Sequence, residues 1–126
     1  MRFFAALALS MLCFACSSST LLEECEELCD RAARCSEPEP DPAALQPCLD
    51  LCAVSVGALD DAVTSGAITQ ACYDEQTDLL DCYNHANCLD LAEVTRGNIP
   101  LRCQRDYREL EAVCPLTSTT AAALVL

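Results

Sequence analysis

From Leu21 onward the apolar positions recur with a helical period. Leu21, Cys25, Leu28, Cys29 and Ala32 stand three and four residues apart, which predicts a helix over 21–35, LLEECEELCDRAARC. Glu23, Glu24, Glu26 and Glu27 crowd its first turns, and Arg31 and Arg34 stand near its end. That order complements the helix macrodipole and reads as a solvated helix start. A calcium site is disfavoured, because no EF-hand pattern of Asp and Gly is present. SEPEPDP, 36–42, is a loop, since three alternating prolines cannot continue a helix. A second helix starts near Asp41 or near Pro47 and runs toward Val63, so that Pro47 either opens it or kinks it. TSGAIT breaks the pattern. A third helix covers about 69–87, a short helical piece 89–95, RGNIP is a turn, and a last helix covers about 99–113. The chain therefore reads as all-α.

The N-terminus has a different pattern. Met1 and Arg2 precede an almost wholly apolar run from Phe3 to Ala15, and Ser17, Ser18, Ser19 and Thr20 follow at once. This is the form of an export signal. It falls short of the roughly 20 apolar residues of a membrane-spanning helix. The expected organisation is a signal peptide at 1–15, a Ser/Thr tether at 16–20, a cysteine-rich helical domain at 21–114 and a loosely ordered tail at 115–126. That tail is too short for a membrane span or a glycolipid-anchor signal. Two cleavage chemistries remain open. Ordinary signal cleavage could follow Ser17, with Ala15 two places before it. Alternatively, Cys13-Phe14-Ala15-Cys16 resembles a bacterial lipobox, in which a small residue precedes a cysteine that is lipidated. The resemblance implies that Cys13 is discarded, that the Cys16 sulfur carries a diacylglyceryl group, and that the chain is held to a membrane of the cell envelope through this lipid.

Beyond Cys16 ten cysteines remain: 25, 29, 35, 48, 52, 72, 82, 88, 103 and 114. An even number in an exported chain reads as a disulfide framework. The domain also needs one. Its only aromatics are Tyr73, Tyr83 and Tyr107, and Ala, Leu and Val fill most apolar positions, so little large side-chain area is available for burial. Cys25-x3-Cys29 and Cys48-x3-Cys52 are twin CxxxC motifs, each with both sulfurs on one helix face. Two antiparallel helices so equipped pair outer with outer and inner with inner, as Cys25–Cys52 and Cys29–Cys48. Residues 25–52 thus resemble the α-hairpinins and the twin-CX3C helical hairpins of mitochondrial carriers. That resemblance implies a stapled helical hairpin, a scaffold that serves inhibitors, antimicrobials and chaperones alike.

A second, looser hairpin follows. The segments 72–82 and 103–114 span about 15 and 16.5 Å of helix, so their lengths match and suggest Cys72–Cys114 and Cys82–Cys103. Ten helical residues turn a side chain about 80° off its starting face, which leaves open whether Cys72 precedes the regular helix. Cys35 and Cys88, each six residues after an inner cysteine, are left to bridge the two hairpins as Cys35–Cys88. Ten cysteines permit many other connectivities.

Charge narrows the partners. After residue 15 there are 20 acidic residues against six arginines, a side-chain charge of −14, and no lysine occurs anywhere. Nucleic acid and anionic membrane surfaces attract basic patches, so neither is expected as a partner. His85 is the only histidine. With Cys82 and Cys88 it has the spacing of a metal site, but oxidised cysteines cannot ligate, and an exposed helix histidine is the simpler reading. Beyond Cys16 the chain lacks a CxxC redox motif, a nucleophile–base pair and a glycine-rich phosphate loop, its glycines being scattered at 57, 66 and 97. Arg102, Arg105 and Arg108 recur every three residues. They read as solvated ion pairs, Arg102–Asp106 and Arg105–Glu109, in preference to an anion or partner patch.

These features lead us to expect a non-enzymatic, cofactor-free, exported envelope protein with a lipid anchor. Its role would be structural or that of binding a protein partner through an acidic helical surface. The alternatives are a secreted inhibitor or toxin-like hairpin protein presenting SEPEPDPAALQP, and a metal-binding or redox protein with reduced thiols.

Overall fold

The computed structural model describes residues 20–114. Five α-helices follow one another: α1 (Leu21–Ser36), α2 (Pro42–Thr64), α3 (Gln70–Asn84), α4 (Cys88–Thr95) and α5 (Gln104–Val113), the last entered through a 3₁₀ turn at Leu101–Cys103. No strand occurs among the described residues. The fold is the small, disulfide-rich all-α domain expected from the periodicity.

Local chemistry sets most boundaries. Thr20 and Glu23 form a capping box at α1: Glu23 N donates to Thr20 Oγ1 at 3.3 Å, and Thr20 N donates to Glu23 Oε2 at 2.7 Å. Asp41 caps α2 by accepting from Ala43 N at 3.0 Å, with Pro42 in the first helical position. Thr69 and Asn87 cap α3 and α4 in the same way. Gly66 (φ 75°) and Gly97 (φ 82°) end α2 and α4. At each, the residue after the glycine bonds back five positions, Ala67 N to Ala62 O and Asn98 N to Glu93 O, closing a Schellman turn that requires the left-handed glycine.

The earlier start of α2 is the one in force, and Pro47 lies inside the helix. Its missing N–H leaves only the carbonyl of Ala43 without a helical donor, and Ala43 is exposed to water. Consequently most of SEPEPDPAALQP is helix, and the loop between α1 and α2 shrinks to residues 37–41.

The helices form two antiparallel hairpins, α1–α2 and α3–α5, with α1 laid against α3 and α4 touching α1. Beyond Cys52, α2 runs on past the start of α1, burying Val56 and Leu59 and reaching α3. By length and composition α2 is long and apolar enough to cross a membrane. Two disulfides, however, tie it to α1, whose Glu23, Glu26 and Glu27 are exposed and would enter the bilayer with it. We therefore read α2 as a helix of the folded domain.

Six of the eighteen buried apolar side chains are cysteines, so sulfur fills space that large side chains would fill in a richer core. A polar seam crosses the α1–α3 contact. Asn84 Nδ2 donates to the Glu24 carbonyl at 2.8 Å and to Glu24 Oε2 at 2.7 Å, with both residues 3% exposed. Glu24 thus departs from the solvated helix start expected of it: α3 covers it and supplies an amide in place of water.

The helix expected at about 69–87 is α3, which stops short of Asn87, and the short piece expected at 89–95 is α4. α3 stops at Asn84, and the next two carbonyls, of His85 and Ala86, accept from Arg102 Nη1 at 2.5 Å and Arg31 Nη2 at 2.6 Å. Asn87 then caps α4, so Cys88 opens a new helix. Likewise the last helix begins as a 3₁₀ turn behind Pro100 before α5 proper.

Burial also acts on the tyrosines. Tyr83, 1% exposed, is held up at about 12 by burial and then by Tyr107. Tyr73 is raised to about 12 by burial and by the Asp60 carboxylate. Tyr107 is raised by its hydrogen bond to Glu111 first and by burial second. A native absorbance titration should therefore show well under half of the tyrosine ionised at the usual tyrosine midpoint, about pH 10. Because the unfolded chain releases these protons first, stability should fall as pH rises from about 10 toward 12. Half-ionisation of all three at about pH 10, with no loss of stability, would contradict the burial described here.

Candidate functional site

The chemistry of this domain is concentrated in its sulfurs. All ten cysteines from Cys25 to Cys114 are joined in disulfides, with the pairings set out from the sequence. In the first hairpin Cys25–Cys52 and Cys29–Cys48 have Cα–Cα distances of 5.7 and 5.9 Å. Both motifs sit on regular helix, one turn apart, so the two bonds cross the α1–α2 interface side by side. In the second hairpin Cys72–Cys114 and Cys82–Cys103 have Cα–Cα distances of 4.9 and 5.8 Å. Cys72 lies within the regular α3 helix, which settles its position. The rotation between Cys72 and Cys82 is absorbed on the other side, where Cys103 ends the 3₁₀ turn and Cys114 is an extended residue just past α5.

Cys35–Cys88, with a Cα–Cα distance of 5.4 Å, joins the last turn of α1 to the first residue of α4 and links the two hairpins. Cys35 leaves its hairpin sideways along α1, as helical arithmetic requires. Cys88 reaches the bond by a different route, the chain break at His85–Asn87. Cys16 and the signal, tether and tail segments lie outside the described residues.

His85 is the C-cap of α3 and is exposed. Its Nδ1 is 2.8 Å from the Asp81 carbonyl and 3.4 Å from Asp81 Oδ1. The sulfurs on either side of it, Cys82 and Cys88, are bonded to Cys103 and Cys35 and offer no thiolate. Among the described residues the metal-type donor atoms that cluster are the sulfurs of Cys29, Cys48 and Cys52, and all three are in disulfides.

An open groove of about 370 Å³ runs between α3 and α5, lined by Asp78, Asp81, His85, Arg102, Arg105 and Glu109 among others. Of the two arginine pairs that the spacing suggested, Arg105–Glu109 forms and Arg102–Asp106 does not. Arg102 turns to the His85 carbonyl instead of to Asp106. Arg105 lies 3.2 Å from Asp106 and 3.9 Å from Glu109. Partial burial, followed by the neighbouring carboxylates, raises the carboxyls of Glu75 and Asp78. The groove is therefore a mixed-charge, acid-rich surface suited to binding, without a nucleophile beside a base.

Five disulfides point to an oxidising, exported or extracellular environment. Comparison with known proteins gives no match to a family model, a curated protein or a solved structure.

Proposed function

We propose that this chain is an exported, lipid-anchored protein of a bacterial cell envelope, whose stapled helical domain has a structural or protein-binding role and carries out no catalysis. The observation that carries this reading is the closure of the disulfide framework. The ten cysteines from Cys25 onward pair among themselves, so the domain has no use for Cys13 or Cys16. Cys16 then stands directly behind Ala15 at the end of the apolar run, the place of a lipidated cysteine, with Ser17–Thr20 as the tether to the cap of α1. Lipidation with more than one acyl chain gives stable anchoring, where one chain alone is marginal. The surface offered to a partner is acidic and helical, and a protein with complementary basic character is the expected ligand.

Cys16→Ser is expected to move the protein from the membrane fraction to the soluble fraction and to abolish incorporation of a fatty-acid tracer. A mature N-terminus at Ser18 with no lipid mass would overturn the anchor.

A further inference from the structure

The two staples of the α1–α2 hairpin are in contact with one another. Cys29 Sγ lies 3.6 Å from Cys52 Sγ, a sulfur of the neighbouring bond. The sulfurs of Cys29, Cys48 and Cys52 all fall within 4.8 Å of one another. A disulfide forms at about 2.0 Å, so Cys29 is a short displacement from a second partner. Exposure distinguishes the four residues. Cys52 is 2%, Cys29 3% and Cys25 8% exposed, whereas Cys48 is only half-buried. An incoming thiolate therefore meets the hairpin first at Cys48.

We propose that the α1–α2 hairpin is a thiol–disulfide exchange relay, in which Cys48 takes up a thiol and Cys29 passes the opened bond on to Cys52. In the first step an external thiolate, from a small molecule or a protein, attacks Cys48 Sγ. A mixed disulfide forms at Cys48, the Cys29–Cys48 bond breaks, and the electron pair leaves on Cys29 Sγ. In the second step the Cys29 thiolate attacks Cys52 Sγ. The Cys29–Cys52 bond forms, the Cys25–Cys52 bond breaks, and Cys25 leaves as a thiolate that takes a proton from water. Each step is an exchange of one disulfide for another, so no oxidant is consumed.

This sequence has two consequences. α1 and α2 keep a covalent link once the exchange is complete. The thiol best placed to expel the adduct from Cys48 is Cys29, and it has been consumed in a new bond, so the adduct persists. Cys48 is thus a site for stable attachment of a thiol-bearing compound, reported by the appearance of a thiol at Cys25.

The test is native-state alkylation of the full chain followed by peptide mass mapping. Wild-type protein exposed to limiting glutathione should carry glutathione on Cys48, the alkyl label on Cys25 and a Cys29–Cys52 bond. Label on Cys29, with Cys25–Cys52 intact, would overturn the relay. Two single variants approach the same product from opposite sides. Cys48→Ser starts with its odd thiol at Cys29 and should end with it at Cys25. Cys25→Ser starts at Cys52 and should end at Cys48. Both should therefore yield Cys29–Cys52, and retention of the remaining native bond in either would count against the proposal. In the Cys29→Ser, Cys48→Ser double variant the relaying sulfur is gone, and labelling of Cys25 should be lost. Should these variants fail to fold, the wild-type glutathione arm decides alone.

Discussion

Full reduction of the folded protein is expected to abolish most of its helical circular-dichroism signal at room temperature. The closed segments run from 19 to 53 residues in sequence separation. Loop-closure entropy then assigns each bond about 3 to 4 kcal/mol of constraint on the unfolded chain. Five such terms rival the roughly 5–15 kcal/mol that is the whole net stability of an ordinary domain. The remaining core cannot compensate. Tyr83 is the one aromatic side chain in the buried set, and a third of that set is cysteine. The helices themselves span 8 to 23 residues, and the shorter ones are marginal in water without tertiary packing. The measurement is far-UV ellipticity with and without reductant, paired with a thiol count in denaturant. Retention of most of the helical signal after ten domain thiols are released would show that the apolar contacts suffice unaided.

Replacing Cys35 and Cys88 together by serine is expected to lower unfolding free energy by about 4 kcal/mol while leaving helix content near native. This bond closes the longest segment, 53 residues, and among the described residues is the only disulfide that links the two hairpins. Cys88 is exposed and Cys35 half-buried, so serine at both leaves little void and the effect acts mainly through the unfolded chain. The hairpins stay associated through Leu21 and Leu28, the Asn84–Glu24 hydrogen bonds and the Arg31 contact to Ala86. Urea unfolding of the oxidised double variant reads the change directly. A loss under about 1 kcal/mol would mean that the non-covalent seam already confines the two hairpins, so that the entropic estimate does not apply.

The candidate site was legible in part. Pairing by matched i,i+4 cysteines needs only the 3.6-residue period and an antiparallel turn, both present in residues 25–52. That the two resulting bonds touch was not legible. The 3.6 Å between Cys29 and Cys52 depends on how closely α1 and α2 approach and how their faces are rotated, which is set by packing. The groove arginines show the same division. Their three-residue spacing places them on one surface, yet Arg102 answers to a carbonyl that only the end of α3 brings within reach.

By itself the sequence determined the helices, their starts and stops, and the demand for staples. Thr20 with Glu23, Asp41 with Pro42, Thr69, Asn87, Gly66 and Gly97 act through neighbours a few residues away, so their effects are local. The scarcity of large apolar residues is a property of composition alone. Tertiary structure decided where those local rules give way. The helical period runs on through His85 and Ala86, but arginines from α5's entry turn and from α1 take their carbonyls, and α3 ends. Glu24 stands among exposed glutamates in a favourable first turn, but α3 lies over it and Asn84 replaces its water. In both places the deciding partner is more than fifteen residues away, and a hydrogen bond made across that distance exists only once the hairpins have packed.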